Sequence, residues 1–127
     1  MLQKMENYKR ALAQLDEAVK RCQRFPEDTL YRDGLIYRFK FTFELAWEVL
    51  WAYMEDQGST LDIVLPKPVL KAAYAAGLID DAQVWLDMLA SRNIISHVYD
   101  DAQAAQVVEA VRDRYIGPLT ALARLYE

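Results

Sequence analysis

Arg92, Asn93, Ser96, His97 and Tyr99 fall within the eight-residue run Arg92-Asn93-Ile94-Ile95-Ser96-His97-Val98-Tyr99, and His97 is the only histidine in the 127-residue chain. An imidazole titrates near neutrality and can move a proton, while a guanidinium can hold a phosphate and stabilise charge that develops on it. With one His and one Cys, and no His/Cys/acid cluster at ligand spacing, one chain assembles no metal site of a usual kind. Asp100 and Asp101 leave only a weak carboxylate-bound ion. No glycine-rich phosphate loop is present either. What remains is acid/base chemistry without metal or cofactor. Cleavage of RNA by its own 2′-hydroxyl fits that equipment, because the substrate supplies the nucleophile, and a dimer could supply two histidines, one as base and one as acid.

Spacing limits how these groups can meet. Arg92 and His97 are five residues apart, which on a straight α-helix is about 140° of rotation. They converge only if the helix unwinds before His97, or if two copies face each other so that one chain's arginine serves the other's histidine. Asn93 and His97 are four apart and about 40° offset, so the amide can orient the imidazole. If the chain runs extended after His97, Tyr99 returns to the same side. Residue types alone favour a plainer reading. A histidine near a helix end is commonly a cap, and in a chain with nine arginines one at this distance is weak evidence of catalysis.

The elements that must position this run read as helices. From Leu2 to Cys22, Met5, Tyr8, Leu12, Leu15, Val19 and Cys22 form one stripe of 3-4-3-4-3 spacing, so Cys22 reads as a small core hydrophobe. Pro26 breaks that helix, and Glu27-Asp28-Thr29 suit the N-terminus of the next. From Leu30 to Gln57, Tyr37, Phe39, Phe41, Phe43 and Leu45 alternate with polar residues as in a strand. The stretch is too long for one, and Ile36, Phe39, Phe43, Ala46, Leu50 and Tyr53 restore helical spacing. Apolar residues off that stripe mark a bundle centre or an interface. Pro66 and Pro68 bracket an extended connector into a short helix, Val69 to Ala76, capped by Gly77. Asp80-Asp81 start a fourth helix with Ala82, Trp85, Leu86 and Leu89 inward, and it delivers Arg92 and His97. After Asp100-Asp101, the last stripe is Ala105, Val108, Val111, Tyr115, Leu119, Leu122 and Leu125, with a kink at Gly117-Pro118. The expected fold is all-α, an up-and-down bundle of four long helices plus one short one, in a single domain over residues 1–127.

The bulk composition agrees with a compact helical protein. An apolar fraction of 54% exceeds the usual 45–50% or so, so a partner is expected to bury part of the surplus. No leader or membrane span is evident, and an unpaired cysteine fits a cytoplasmic protein. A net charge of −4 excludes a general nucleic-acid binder, and any RNA contact must come from a local basic cluster.

Two stretches together carry a family resemblance. The segment Arg32-Asp33-Gly34-Leu35-Ile36-Tyr37-Arg38-Phe39-Lys40-Phe41-Thr42-Phe43-Glu44-Leu45-Ala46-Trp47 resembles that of small HEPN proteins described as substrate-binding subunits of minimal nucleotidyltransferases. The run at Arg92 is similar to the family's R-X4-6-H signature in the R-X4-H-X-Y form of HepT-type toxins, and Gly77-Leu78-Ile79-Asp80 also fits. The resemblance implies a helical-bundle homodimer with the motifs near its interface. It further implies a metal-independent endoribonuclease toxin paired with a small nucleotidyltransferase antitoxin. Arg92 and His97 would be its catalytic pair, Asn93 a supporting group, and Tyr99 the hydroxyl to which the antitoxin attaches AMP. Tyr37 stands where the family often has Gln, and Lys40 where it often has Glu. Lys40, with Arg32 and Arg38 on the same helix, is a candidate patch for RNA or partner contact, the alternative being a solvated helix face. The competing function is a non-catalytic subunit that binds the nucleotidyltransferase or its substrate, and a purely structural dimerisation module is the third.

Overall fold

The structure, a computed structural model, describes residues 2–97 and 100–127, and at positions 2 and 97 the description is of the backbone alone. Among the described residues it is all-helical: α1 (Leu2–Arg24), α2 (Thr29–Asp56), α3 (Pro66–Ala75), α4 (Ala82–His97), α5 (Asp101–Ala110), a π-helical turn (Val111–Tyr115) and α6 (Ile116–Leu122). Counting α5, the π turn and α6 as one interrupted rod, this is the expected four long helices with one short one. No described helix is long and apolar enough to cross a membrane.

Helix α2 is the central element and packs against α1, α3, α4, α5 and α6. Its apolar surplus explains why. Leu35, Ile36, Phe39, Phe43, Ala46, Val49, Leu50, Ala52 and Met54 are all buried, more of the circumference than one stripe covers. Asp28 accepts from the backbone N–H groups of Leu30 (2.9 Å) and Tyr31 (3.1 Å), so the expected cap starts the helix. Gly58 ends it at φ +89°, with Ser59 N–H bonded to the Met54 carbonyl (2.9 Å). Gly77 ends α3 in the same way at φ +76°, Leu78 N–H reaching the Ala73 carbonyl (2.9 Å). Both are left-handed caps that a residue with a Cβ adopts only at a cost.

On α1 the apolar stripe faces inward as its spacing predicts, with Cys22 half-buried at its end. Burial pushes the Cys22 thiol above its ordinary range, and Asp28 adds to the shift. The buried Tyr8 hydroxyl donates to the Leu119 carbonyl (2.5 Å), one of the last in α6, and so ties the first helix to the final one. Thr42 on α2 is buried, with its hydroxyl donating to the Arg38 carbonyl (2.7 Å) and lying 3.3 Å from the Ala11 carbonyl on α1.

Three elements differ from their sequence expectation. In α4 the buried residues are Val84, Trp85 and Met88, while Ala82, Leu86 and Leu89 are only half-buried. Pro66 and Pro68 lie inside α3, in its first turn, where a backbone N–H has no helical acceptor to lose. In the final rod the buried residues before the π turn are Ala104 and Val107, not Ala105 and Val108. The π turn, in which Ile116 N–H bonds five residues back to the Val111 carbonyl, holds one residue more than an α turn. That residue shifts the register upstream by one. The interruption expected at Gly117-Pro118 therefore falls earlier, where Pro118 withholds an N–H from the Arg114 carbonyl and crowds it.

Candidate functional site

The C-terminal half of α4 carries Arg92 beside the middle of α2. Asp81 begins this helix by accepting from Val84 N–H (3.2 Å), and Val84, Trp85 and Met88 bury its inner face. Two polar contacts then fix its rotation against the final rod: Arg114 pairs with Asp87, and the Ser91 and Tyr115 hydroxyls are 2.8 Å apart. Helical backbone continues through His97. Of the two routes by which Arg92 and His97 could converge, unwinding before His97 is thereby overturned. Positions 92 and 97 stay about 140° apart around one axis.

Arg92 donates through Nε to Glu44 on α2 and through Nη1 to Asn93 Oδ1 (2.9 Å). The other oxygen of Glu44 accepts from Trp47 Nε1 (3.0 Å), so a tryptophan, a carboxylate, a guanidinium and an amide are linked in one chain. The arginine and glutamate side chains are 23% and 33% exposed. At that depth the pair keeps more of its attraction than an open surface bridge does. The amide oxygen of Asn93, the residue expected to orient the histidine, accepts from the arginine. Ser96 donates to the Arg92 carbonyl (3.1 Å), an ordinary back-bond within the helix. Tyr99 and the His97 side chain lie outside the described residues.

Glu44 is the member that sequence reasoning missed. It sat unremarked as a polar residue in the alternating run, although Glu44 and Trp47 are three apart and share a helix face, a spacing that favours a side-chain pair.

The Arg32, Arg38 and Lys40 set does not form one patch. Arg38 donates to the Gln14 carbonyl on α1 (2.9 Å), about 160° around α2 from Lys40. Arg32 bridges Asp33 and Asp101 (3.1 Å each), which ties the start of α5 to α2. There Asp100 completes a capping box with Gln103. Lys40 alone lies on the Glu44 face, one turn before it and beside the stacked exposed pair Tyr37 and Phe41.

Comparison with known proteins gives a consistent set. A family model described as "nucleotidyltransferase substrate binding protein like" matches residues 3–126. The "Probable ribonuclease HepT" of Haemophilus influenzae is 31% identical over 90 residues, which cover 68% of this chain and 61% of that protein. The match therefore spans under two thirds of that relative. A crystal structure of a Thermus thermophilus protein superposes with a TM-score of 0.80 at 31% identity, over 94% of this chain and 99% of that one. A tri-AMPylated Shewanella oneidensis HEPN toxin, solved in complex with an MNT antitoxin, superposes with a TM-score of 0.75 over 98% of this chain and 93% of its own. At 15% identity that second likeness is one of fold.

Proposed function

The chain belongs to the nucleotidyltransferase substrate-binding-protein-like family, and from that premise we propose that it is a metal-independent endoribonuclease, the toxin of a toxin–antitoxin pair whose other member is a small nucleotidyltransferase. The observation that carries this reading is the guanidinium of Arg92, held between Glu44 and Asn93 on the same helix as the chain's one histidine. A fixed guanidinium suits a phosphate that gains charge as the 2′-hydroxyl attacks, and His97 supplies the proton transfer. Atoms balance without a co-reactant: the 2′-oxygen displaces the 5′-oxygen of the next nucleotide, leaving a 2′,3′-cyclic phosphate and a free 5′-hydroxyl.

The unbroken helix between Arg92 and His97 supports a homodimeric site. With the two positions about 140° apart on one axis, a second copy brings one chain's arginine to the other's histidine. The sequence similarity to a HepT supports the reaction class, and the shared fold with a HEPN toxin captured with its antitoxin supports the partner. AMP on Tyr99, two residues from His97, adds bulk and negative charge where an RNA phosphate must sit, and serves as the off-switch.

Incubation of the purified protein with single-stranded RNA in EDTA tests the reading. Fragments ending in cyclic phosphate are expected, and both His97→Ala and Arg92→Ala should abolish them. Cleavage that survives His97→Ala overturns the assignment. Tight partner or nucleotide binding with no cleavage would instead favour the competing reading, a non-catalytic subunit.

A further inference from the structure

We propose that Glu44, braced by Trp47, is the positioning residue for Arg92, fixing the plane in which its guanidinium meets the scissile phosphate. The proposal rests on the ribonuclease reading above and adds to it a residue from a different helix.

An arginine on a long stem has many rotamers, and a phosphate is recognised well only when the planar fork is already aimed. At Arg92 two nitrogens are engaged together, Nε by Glu44 and Nη1 by Asn93. Two contacts in the plane of a rigid fork leave it no rotation about its own axis. Glu44 is constrained in turn. Its second oxygen takes the Trp47 N–H at 3.0 Å, so turning the carboxylate breaks one bond or the other, and the indole packs against the core. The aim of Arg92 is thus set by α2 as well as by its own helix.

Glu44 also has a cost for binding. Its negative charge sits beside the group that must receive an anion, so it weakens ground-state association with RNA while it orients the arginine. A residue serving only the fold would not divide its effects in that way.

The test combines steady-state cleavage of single-stranded RNA with the amide-type ¹H–¹⁵N signal of Arg92 Nε, assigned by its loss in Arg92→Lys. Glu44→Ala is expected to lower kcat roughly 100-fold without raising KM. It should also make the Arg92 Nε proton exchange rapidly with solvent. Glu44→Gln keeps an acceptor for Nε and removes the charge, but its amide nitrogen cannot accept the Trp47 N–H, so KM should fall, kcat should drop less than in Glu44→Ala, and part of the slow exchange should persist. Trp47→Phe removes the brace and keeps the carboxylate, so it should lose part of kcat and part of the slow exchange with KM unchanged, which keeps the proposal testable if Glu44→Ala does not fold. Unchanged Nε exchange in Glu44→Ala, or wild-type kcat in that variant, overturns the positioning role. If the wild-type protein cleaves no RNA, the ribonuclease reading fails, and the Arg92 signal still decides whether Glu44 fixes the guanidinium.

Discussion

The Tyr115 hydroxyl lies 2.8 Å from that of Ser91, so the residue that ends the π turn is bonded to the one that precedes Arg92. The Tyr115 ring stacks on Phe39 of α2 with centroids 5.5 Å apart, which leaves its hydroxyl no freedom to follow α4 elsewhere. One turn earlier on α4, Asp87 receives Arg114 from the same π turn. These contacts hold one side of α4 as Glu44 holds another, and each can be tested separately.

Removing either hydroxyl should loosen that hold. Tyr115→Phe and Ser91→Ala are each expected to lower stability by about 1 kcal/mol, the usual net worth of one hydrogen bond. The double variant should cost less than the sum of the two, since the second change removes a bond already lost. Urea unfolding measures all three, and strict additivity would show that the hydroxyls are not coupled.

The Arg114–Asp87 contact carries a pH dependence. The hydrogen bond from Arg114, helped by one from Gln83, holds the Asp87 carboxyl below its ordinary range. A folded-state pKa that is lowered contributes stability fully above the unfolded value of about 4 and loses it as pH falls through the folded one. Asp87→Asn should therefore reduce the melting temperature at pH 7 and flatten its fall below pH 4. Thermal melts from pH 7 to pH 2 give the comparison, and parallel curves for the two proteins would count against the contact.

Co-expression with a small nucleotidyltransferase and its ATP is expected to leave at least one AMP on Tyr99, read by mass spectrometry of the intact protein and its peptides. The modified protein should cleave no RNA, and Tyr99→Phe should escape modification and stay active. AMP found elsewhere, or activity retained in the modified form, would remove Tyr99 as the switch.

What the amino-acid order reveals here depends on whether one local period decides the outcome. The α1 stripe from Met5 to Val19 needed nothing else. Helix α2 reads as a strand over Tyr37 to Leu45 and becomes a helix only when its whole length is weighed. The final rod misleads by one residue because nothing in the order marks the π turn; Pro118 signals an interruption, but the carbonyl it disturbs belongs to Arg114, four positions back. Pro66 and Pro68 read as extended chain, although the first turn of a helix accepts them equally. At the candidate site, residue type picks out Arg92 and Asn93, but not their contact with each other. Glu44 is not picked out, since it lies 48 residues from Arg92, and only packing α4 against α2 brings the two together.

The π turn also determines which changes in chain length this fold can absorb. Loss of one residue between Val111 and Tyr115, such as the exposed Asp113, lets the turn close as ordinary helix. The wider turn takes up the extra residue with little net rotation, so after the deletion Ala104 and Val107 still point inward. A further residue gained there has no such outlet. It swings the same side chains toward solvent and carries Asp101 away from Arg32. Natural variation in length at this point should therefore run toward deletion.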